Sequence, residues 1–285
     1  MDIFLDYYIP YAGLCNQLYL ITNHIVEAIQ KGVNIYIHVV NLDIFHKELV
    51  PASVLFDIDK TNENIHRLIG RNVLLSKKPE EFILPSELKV YPVQSVEILG
   101  CLEFNKHLVV VPEGEYYSVH YRMELDVICH YVFPDKYNTF MGLEDKTEMV
   151  HTFMKDPRFV EYTTFLFDQY THYISLIGFD KPWYICTALG KDPVHDTLYP
   201  MLYKLHDYIR TNGGIIMKTD THFAQRELNA LVDLMALCKS EAMIVFEGSS
   251  FSEGYCLKVN KNPKKVCLFV KNECIDSCSD VENSV

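Results

Sequence analysis

A strand, a glycine turn, a helix and a second strand follow one another in residues 3–40, and this order constrains the fold most strongly. Residues 3–9 are rich in β-formers, and Gly13 leads into an amphipathic stretch that runs to about Lys31. Gly32 is suited to end that helix, and the apolar residues 33–40 predict the second strand. Because a strand–helix–strand unit joins parallel neighbours in a sheet, the sequence predicts an α/β fold.

The second half of the chain also alternates strands with helices. The predicted strands are at 117–121, 183–186 and 243–246. Residues 144–177 are predicted to be helical, and the turn at Pro112–Gly114 is the predicted domain boundary. Two α/β segments then predict two Rossmann-like domains, at residues 1–112 and 113–285, that face each other across a cleft. Ligands in such sheets bind at the carboxyl ends of the strands.

The charge balance excludes whole classes of partner. With 26 basic and 38 acidic residues, the net charge is −12, so we expect neither a nucleic-acid-binding surface nor adsorption to an anionic membrane. A local basic pocket for one small anion is compatible with this balance. The chain has no signal-peptide pattern and no membrane-spanning apolar run, and its nine cysteines lie mostly in apolar stretches. We therefore expect buried, reduced thiols and a cytoplasmic protein.

The first motif that could carry chemistry is the turn after the first strand, Gly13-Leu14-Cys15-Asn16-Gln17. The glycine would let the backbone approach an anionic ligand, and the helix start would offer N–H groups and a positive dipole end. Asn16 and Gln17 can donate amide hydrogens. The structural alternative is an ordinary turn with polar caps.

The second motif is a strand end that reads His120-Tyr121-Arg122, followed by Glu124 and Asp126. His120 and Arg122 would lie on one side of the strand, and the planar fork of arginine suits the oxygens of a diphosphate. The two carboxylates could orient the arginine, bind a ribose or ring nitrogen, or act as a base. The structural alternative is an arginine–carboxylate pair that only stabilises the strand end.

The third motif is Gly248-Ser249-Ser250-Phe251-Ser252, which follows a strand directly. Its backbone N–H groups and hydroxyls would suit a phosphate at a helix N-terminus. The motif is neither a Walker loop nor a Gly-x-Ser-x-Gly elbow, and the chain has no Asp-x-Asp at a strand end and no Gly-x-Gly-x-x-Gly. The structural alternative is a helix cap formed by Ser249 or Ser250.

Taken in order, the three motifs resemble the GDP-fucose fucosyltransferase superfamily, especially its protein O-fucosyltransferase type. Residues 13–17 look like that family's Gly-x-x-Asn-Gln helix start, and residues 120–122 with Asp126 look like its His-x-Arg motif. Residues 248–252 look like its closing Ser-Ser-Phe turn.

Three further segments carry the resemblance, which spans residues 3–255. Residues 42–45 and 54–59 look like the family's sugar-cleft loop and Phe-Asp-Val-Asp segment, and residues 231–234 look like its aspartate-bearing helix.

The resemblance implies a GT-B fold with the active site between two Rossmann-like domains. Residues 1–112 would form the acceptor side and residues 113–285 the nucleotide-sugar side, with the last helix able to cross back. The implied activity is inverting, metal-independent transfer of a sugar from GDP-fucose, or from another donor such as UDP-xylose, to a glycan acceptor. No cofactor is implied, because Arg122 and helix N-termini would neutralise the donor diphosphate.

The resemblance also implies the site residues. The catalytic candidates are Arg122, Asp126, Glu124 and Asp43, and the base stays open between Asp6, Asp43, Glu124 and Asp126. Asp126 and Asp233 are candidates for the base or for ribose recognition. The donor-binding candidates are Gly13, Leu14, Cys15, Asn16, Gln17, His120, Asp233, Gly248, Ser249, Ser250 and Phe251.

The sequence also departs from the family. It is short, and it lacks the anchor and the disulfides of secretory-pathway members, which suggests a compact cytoplasmic or virus-encoded enzyme similar to those of large algal viruses. Two other classes stay open. One is a non-catalytic nucleotide-sugar or glycan binder on the same scaffold, and the other is a structural subunit that assembles through its acidic surface.

Overall fold

The computed structural model describes residues 1–6, 13–44, 46–86, 93–143, 146–189, 193–217, 223–260 and 266–271. The chain divides into two compact units. The first unit comprises residues 1–111, 220–238 and 254–261, and the second comprises residues 112–219, 239–253 and 262–285. The sequence also predicts a strand near Leu88–Val93, and residues 88–92 of it lie outside the described residues.

The described residues form nine strands and ten α-helices. The strands are β1 Asp2–Leu5, β2 Ile35–Ile37, β3 Val39–Asn41, β4 Leu49–Pro51, β5 Phe82–Ile83, β6 Tyr117–His120, β7 Trp183–Cys186, β8 Ala242–Phe246 and β9 Val266–Val270. The helices are α1 Leu14–Lys31, α2 Ala52–Leu55, α3 Ile58–Ile69, α4 Val96–Leu99, α5 Leu125–Val132, α6 Pro134–Gly142, α7 Thr147–Met154, α8 Pro157–Ile177, α9 Tyr199–Thr211 and α10 Arg226–Lys239. A 3-10 segment spans Pro193–Leu198 and a π-helical segment spans Ser250–Leu257.

The first unit contains the strand–helix–strand arrangement that the sequence predicts. Strands β2, β1 and β5 pair in parallel in that order, and α1 connects β1 to β2. Helix α1 buries its apolar side, and Gly32 ends it in the left-handed conformation at φ 70°. The α/β fold class predicted from the sequence is thereby confirmed.

The strand predicted over residues 33–40 is in fact two strands. His38 still donates its N–H to Leu5 O, but its carbonyl accepts from Ala52 N. The chain therefore changes partners at His38, and β3 pairs antiparallel with β4 in a separate small sheet.

The second unit is built on a parallel sheet with the order β7-β6-β8-β9. The chain moves outward from β6 to β7 on one side and then from β8 to β9 on the other. The order of the strands therefore reverses between β6 and β8. In sheets of this class the crevice outside the carboxyl ends of two such strands is the usual place for a ligand.

Within residues 144–177, which are predicted to be helical, the structure has two helices, α7 and α8. Asp156 caps α8 by accepting a hydrogen bond from Arg158 N, and Pro157 occupies the first turn. Because proline has no N–H to donate, it suits a helix start and cannot continue α7. Helix α8 packs its buried residues into the aromatic core of the second unit. Within the described ranges, no helix is long and apolar enough to cross a membrane.

Candidate functional site

The fold brings the second and third sequence motifs together at the carboxyl ends of β6 and β8. His120 is the last residue of β6, and its Nδ1 lies 2.8 Å from Ser252 Oγ. The His120 ring also contacts the Phe251 ring, at 5.1 Å between centroids. Residues 132 positions apart thus meet where the strand order reverses.

Ser252 holds the end of β8 as well as the histidine. The paired residues of β6 and β8 end at Val119 and Ile244. Two residues further on, Phe246 N donates to Ser252 Oγ at 3.1 Å instead of to a β6 carbonyl. The fully buried serine therefore supplies a partner to a backbone group beyond the end of the ladder.

His120 is neutral in this position. Ser252 Oγ accepts the Phe246 N–H, and we assign its hydroxyl hydrogen to His120 Nδ1 and the ring proton to Nε2. Burial, with a further contribution from the charge of Arg122, holds the pKa of His120 well below its ordinary value. The imidazole is thus a buried donor that keeps the same charge around neutral pH.

The low pKa of His120 predicts a loss of stability in acid. Below the unfolded-state pKa of about 6.5 the unfolded chain binds a proton that the folded chain excludes, so stability falls by up to about 1.4 kcal/mol per pH unit. Thermal unfolding between pH 7.5 and 5.5, followed by circular dichroism, measures this slope. The His120→Asn variant should show a flatter slope over the same range. Equal slopes in both proteins would contradict the assignment.

Arg122 follows β6 and lies between two carboxylates. Its Nε is 3.6 Å from Glu124 Oε2 and its Nη2 is 3.3 Å from Asp126 Oδ2. Burial opposes its charge, but Glu124 and Asp126 outweigh that effect and raise the pKa of Arg122. The arginine–carboxylate pair that the sequence offers as the structural alternative is therefore present. The arginine side chain still keeps 28% of its surface exposed, enough to meet a ligand.

The serine turn uses several of its polar groups internally. Gly248 adopts φ 75°, and its N–H donates to Glu253 Oε2 at 2.5 Å. Ser249 Oγ accepts from Phe251 N at 3.2 Å and from Ser252 N at 3.3 Å, so it caps the following segment. Ser250 begins a π-helical segment in place of the predicted α-helix. π-Helical turns occur frequently at functional sites.

The first motif, in the first unit, is already partly occupied by protein groups. Leu14 N, at the start of α1, donates to Glu227 Oε2 at 2.6 Å. Gln17 binds the backbone of Asn41 twice, as donor from Nε2 at 2.8 Å and as acceptor at Oε1 at 3.0 Å. Gln17 thus ties α1 to the end of β3. Cys15 is buried and Asn16 is half-buried.

Sequence reasoning missed Glu227 and Arg226, which begin α10. Glu227 is only 1% exposed, and Arg226 Nη1 lies 2.5 Å from its Oε1. Burial raises the pKa of Glu227, while Arg226 and the Leu14 N–H partly offset the effect. Glu227 N also donates to Leu42 O, so α10 joins the first unit through both its backbone and its side chain. No motif in the sequence marks this pair.

The remaining predicted carboxylates also lie in the first unit. Asp43 is buried, accepts from His46 N at 3.0 Å and lies 3.0 Å from His46 Nδ1, which raises the pKa of the exposed histidine. Asp233 is buried in α10. Asp6 is exposed, 3.0 Å from His38 Nδ1. Of the predicted residues, the structure thus groups His120, Arg122, Glu124, Asp126 and residues 248–251 within the second unit.

Comparison with known proteins adds the fold but no sequence relative. No protein-family model and no curated protein sequence matches the chain. Crystal structures of POFUT1 in complex with GDP-fucose match with a TM-score of 0.57, at 10% identity in one crystal form and 9% in another. A structure of POFUT1 in complex with GDP matches with a TM-score of 0.56 at 10% identity. Each match covers 94% of this chain and 97% of the other. The likeness shows a mixed α/β fold of the GT-B glycosyltransferase type.

Proposed function

We propose that this chain is a glycosyltransferase that moves a sugar from a nucleotide-sugar donor to a glycan acceptor. The observation that carries the proposal is the contact of His120 with Ser252 and Phe251 where the strand order reverses in the second unit. Through that contact His120, two residues before Arg122, meets the serine turn at the carboxyl ends of β6 and β8, where ligands of such folds bind. The POFUT1-like fold supports the same activity.

In the proposed reaction the bond between the donor sugar and the diphosphate breaks as the acceptor oxygen attacks the opposite face of the sugar. The negative charge that grows on the leaving diphosphate would be stabilised by the guanidinium of Arg122 and by the Nε2–H of His120. Both groups are held in place before the donor arrives, Arg122 by its two carboxylates and His120 by Ser252. We propose that the charge of Arg122 replaces a divalent cation.

We propose that Glu124 and Asp126 orient Arg122 rather than take the acceptor proton, because both face its guanidinium. Glu124 also accepts a hydrogen bond from Ala188 N at 3.4 Å. The base then stays open between Asp6 and Asp43. GDP-fucose is the first donor to test, because it is bound in the POFUT1 structures, and UDP-xylose is the alternative.

A non-catalytic nucleotide-sugar binder is the second candidate, and one observation favours it. Two backbone donors predicted to hold phosphate, Leu14 N and Gly248 N, already donate to the carboxylates of Glu227 and Glu253. A binder would bind the donor without releasing its sugar. Slow hydrolysis of the bound donor, measured by chromatography, would favour the enzyme.

A thermal-shift screen tests the proposed function. The compounds are GDP, UDP, GDP-fucose and UDP-xylose, each with magnesium and with EDTA. We expect one nucleoside diphosphate and its sugar conjugate to raise the unfolding temperature equally in both conditions. Stabilisation that needs magnesium would contradict the metal-independent reaction. No shift with any of the four would contradict nucleotide-sugar binding and favour the structural-subunit class.

A further inference from the structure

Tyr170, on α8, places its hydroxyl at the end of β6. The side chain is fully buried, and its OH donates to His120 O and accepts from Arg122 N, both at 2.9 Å. One hydroxyl therefore serves the two backbone groups on either side of Tyr121.

The position of this hydroxyl follows from the sheet. Tyr121 N donates to Cys186 O on the β7 side. Because successive amide groups of a strand point to opposite sides, His120 O and Arg122 N point toward β8. The β6–β8 pairs end at Val119, so these two groups have passed the end of their ladder. Leaving such a backbone group without a partner away from water is unfavourable, and Tyr170 supplies the partner for both groups.

We infer that Tyr170 is a positioning residue for Arg122, a role that rests on the proposed function of that arginine. The hydroxyl holds the peptide from which the Arg122 side chain leaves the strand. On either side of Arg122, Tyr121 and Met123 have buried side chains that anchor the backbone. With its amide bound to Tyr170 as well, the backbone of Arg122 is held at the point where its side chain begins.

The surroundings of Tyr170 keep its hydroxyl protonated and able to donate a hydrogen bond. Burial raises the pKa of its hydroxyl well above the ordinary value, so the group stays protonated at any working pH. The hydrogen bond to His120 O is therefore always available. The ring of Tyr170 packs against the Tyr121 ring at 4.8 Å between centroids, which keeps the hydroxyl in place.

The test compares Tyr170→Phe with a control, Tyr208→Phe. Tyr208 is half-buried on α9 and also donates its hydroxyl to a backbone carbonyl, Thr171 O at 3.1 Å, outside the site. Calorimetry gives the affinities for GDP and GMP. In Tyr170→Phe we expect GDP affinity to fall about tenfold, with GMP affinity unchanged within about twofold, because only the diphosphate has the phosphate that Arg122 would hold. The control should change neither affinity.

General structural damage would weaken the binding of both nucleotides. The ratio of the GDP and GMP affinities therefore separates a positioning role from a loss of stability. A double-mutant cycle with Arg122→Ala adds a second separation. If Tyr170 acts on GDP affinity only by positioning Arg122, then Tyr170→Phe should cause no further loss of GDP affinity in the Arg122→Ala background. Additive losses, or equal losses for GDP and GMP, would overturn the inference.

The inference and the proposed function fail in different ways. If Arg122→Ala lowers the GDP-to-GMP affinity ratio and Tyr170→Phe does not, the positioning role is wrong and the function stands. If the wild-type protein binds GDP no more tightly than GMP and UDP no more tightly than UMP, or if Arg122→Ala does not change these ratios, both are wrong.

Should Tyr170→Phe not fold, 4-aminophenylalanine placed at position 170 keeps the aromatic ring and a donor toward His120 O, but it is a poor acceptor for Arg122 N. This variant should fold and still show the diphosphate-specific loss. A wild-type GDP-to-GMP ratio in it would overturn the inference.

Discussion

Replacing Arg122 with alanine is expected to lower sugar transfer by about 100-fold or more while the fold is retained. The guanidinium is the charged donor that follows β6, held by Glu124 and Asp126, and without it the departing diphosphate would lose a preorganised positive charge. A coupled assay of nucleoside diphosphate release, with the donor identified by the thermal-shift screen, measures the effect. Arg122→Lys should recover little, because lysine lacks the planar fork that binds two oxygens at once.

The matched control for Arg122→Ala is Arg158→Ala. Arg158 also pairs with a carboxylate, Asp156 at 3.0 Å, but it lies at the start of α8 outside the site. We expect this variant to keep wild-type turnover. Circular dichroism of both variants should show that neither unfolds. Near-wild-type transfer by Arg122→Ala would remove the arginine from the mechanism.

The second large effect is expected on stability, in the first unit. Glu227→Ala removes the acceptor of the Leu14 N–H and the carboxylate beside Arg226, both held at a position that is 1% exposed. Removing one partner from a buried ion pair destabilises proteins by about 3–5 kcal/mol, and the 32% exposure of the Arg226 side chain favours the lower end of that range. Urea unfolding should therefore show a free energy of unfolding lower by about 3 kcal/mol.

An exposed ion pair provides the control for Glu227→Ala. Glu241 pairs with Lys181 at the surface, and such pairs contribute about 0–1 kcal/mol. Glu241→Ala should thus leave the unfolding midpoint nearly unchanged. If Glu227→Ala costs no more than Glu241→Ala, then the buried carboxylate does not hold α1 and α10 together.

Local pattern predicts much of the architecture of this chain. The helical spacing of apolar residues predicts α1, and the apolar run before residue 248 predicts β8. Periodicity cannot show which sheet a helix joins. The segment of α10 is predicted as a helix, but its place in the first unit depends on the bond between Glu227 and Leu14, which are 213 residues apart.

The candidate site shows the same division between local and distant information. The His-x-Arg strand end and the serine turn can be recognised from the sequence because their residue types suit a diphosphate. The partners that hold them cannot. Tyr170 is one of 19 tyrosines, and nothing near it in the sequence marks the hydroxyl that binds the end of β6.

Ser252 illustrates why polar residues in a motif are hard to assign. The sequence names Ser249 and Ser250 as phosphate ligands or helix caps, whereas the structure shows internal roles for Ser249 and Ser252. Ser249 accepts backbone N–H groups, and Ser252 holds His120 and β8. The end of the β6–β8 ladder decides these roles, and that end depends on tertiary pairing.

Hydrogen–deuterium exchange, followed by mass spectrometry with saturating GDP-fucose or UDP-xylose in EDTA, tests the location of the proposed donor site most directly. The account predicts that peptides covering residues 120–126 and 248–253 slow their exchange together when the donor binds, because both segments would contact its diphosphate. The account would be contradicted if a donor binds and neither segment slows its exchange. It would also be contradicted if no donor binds at all.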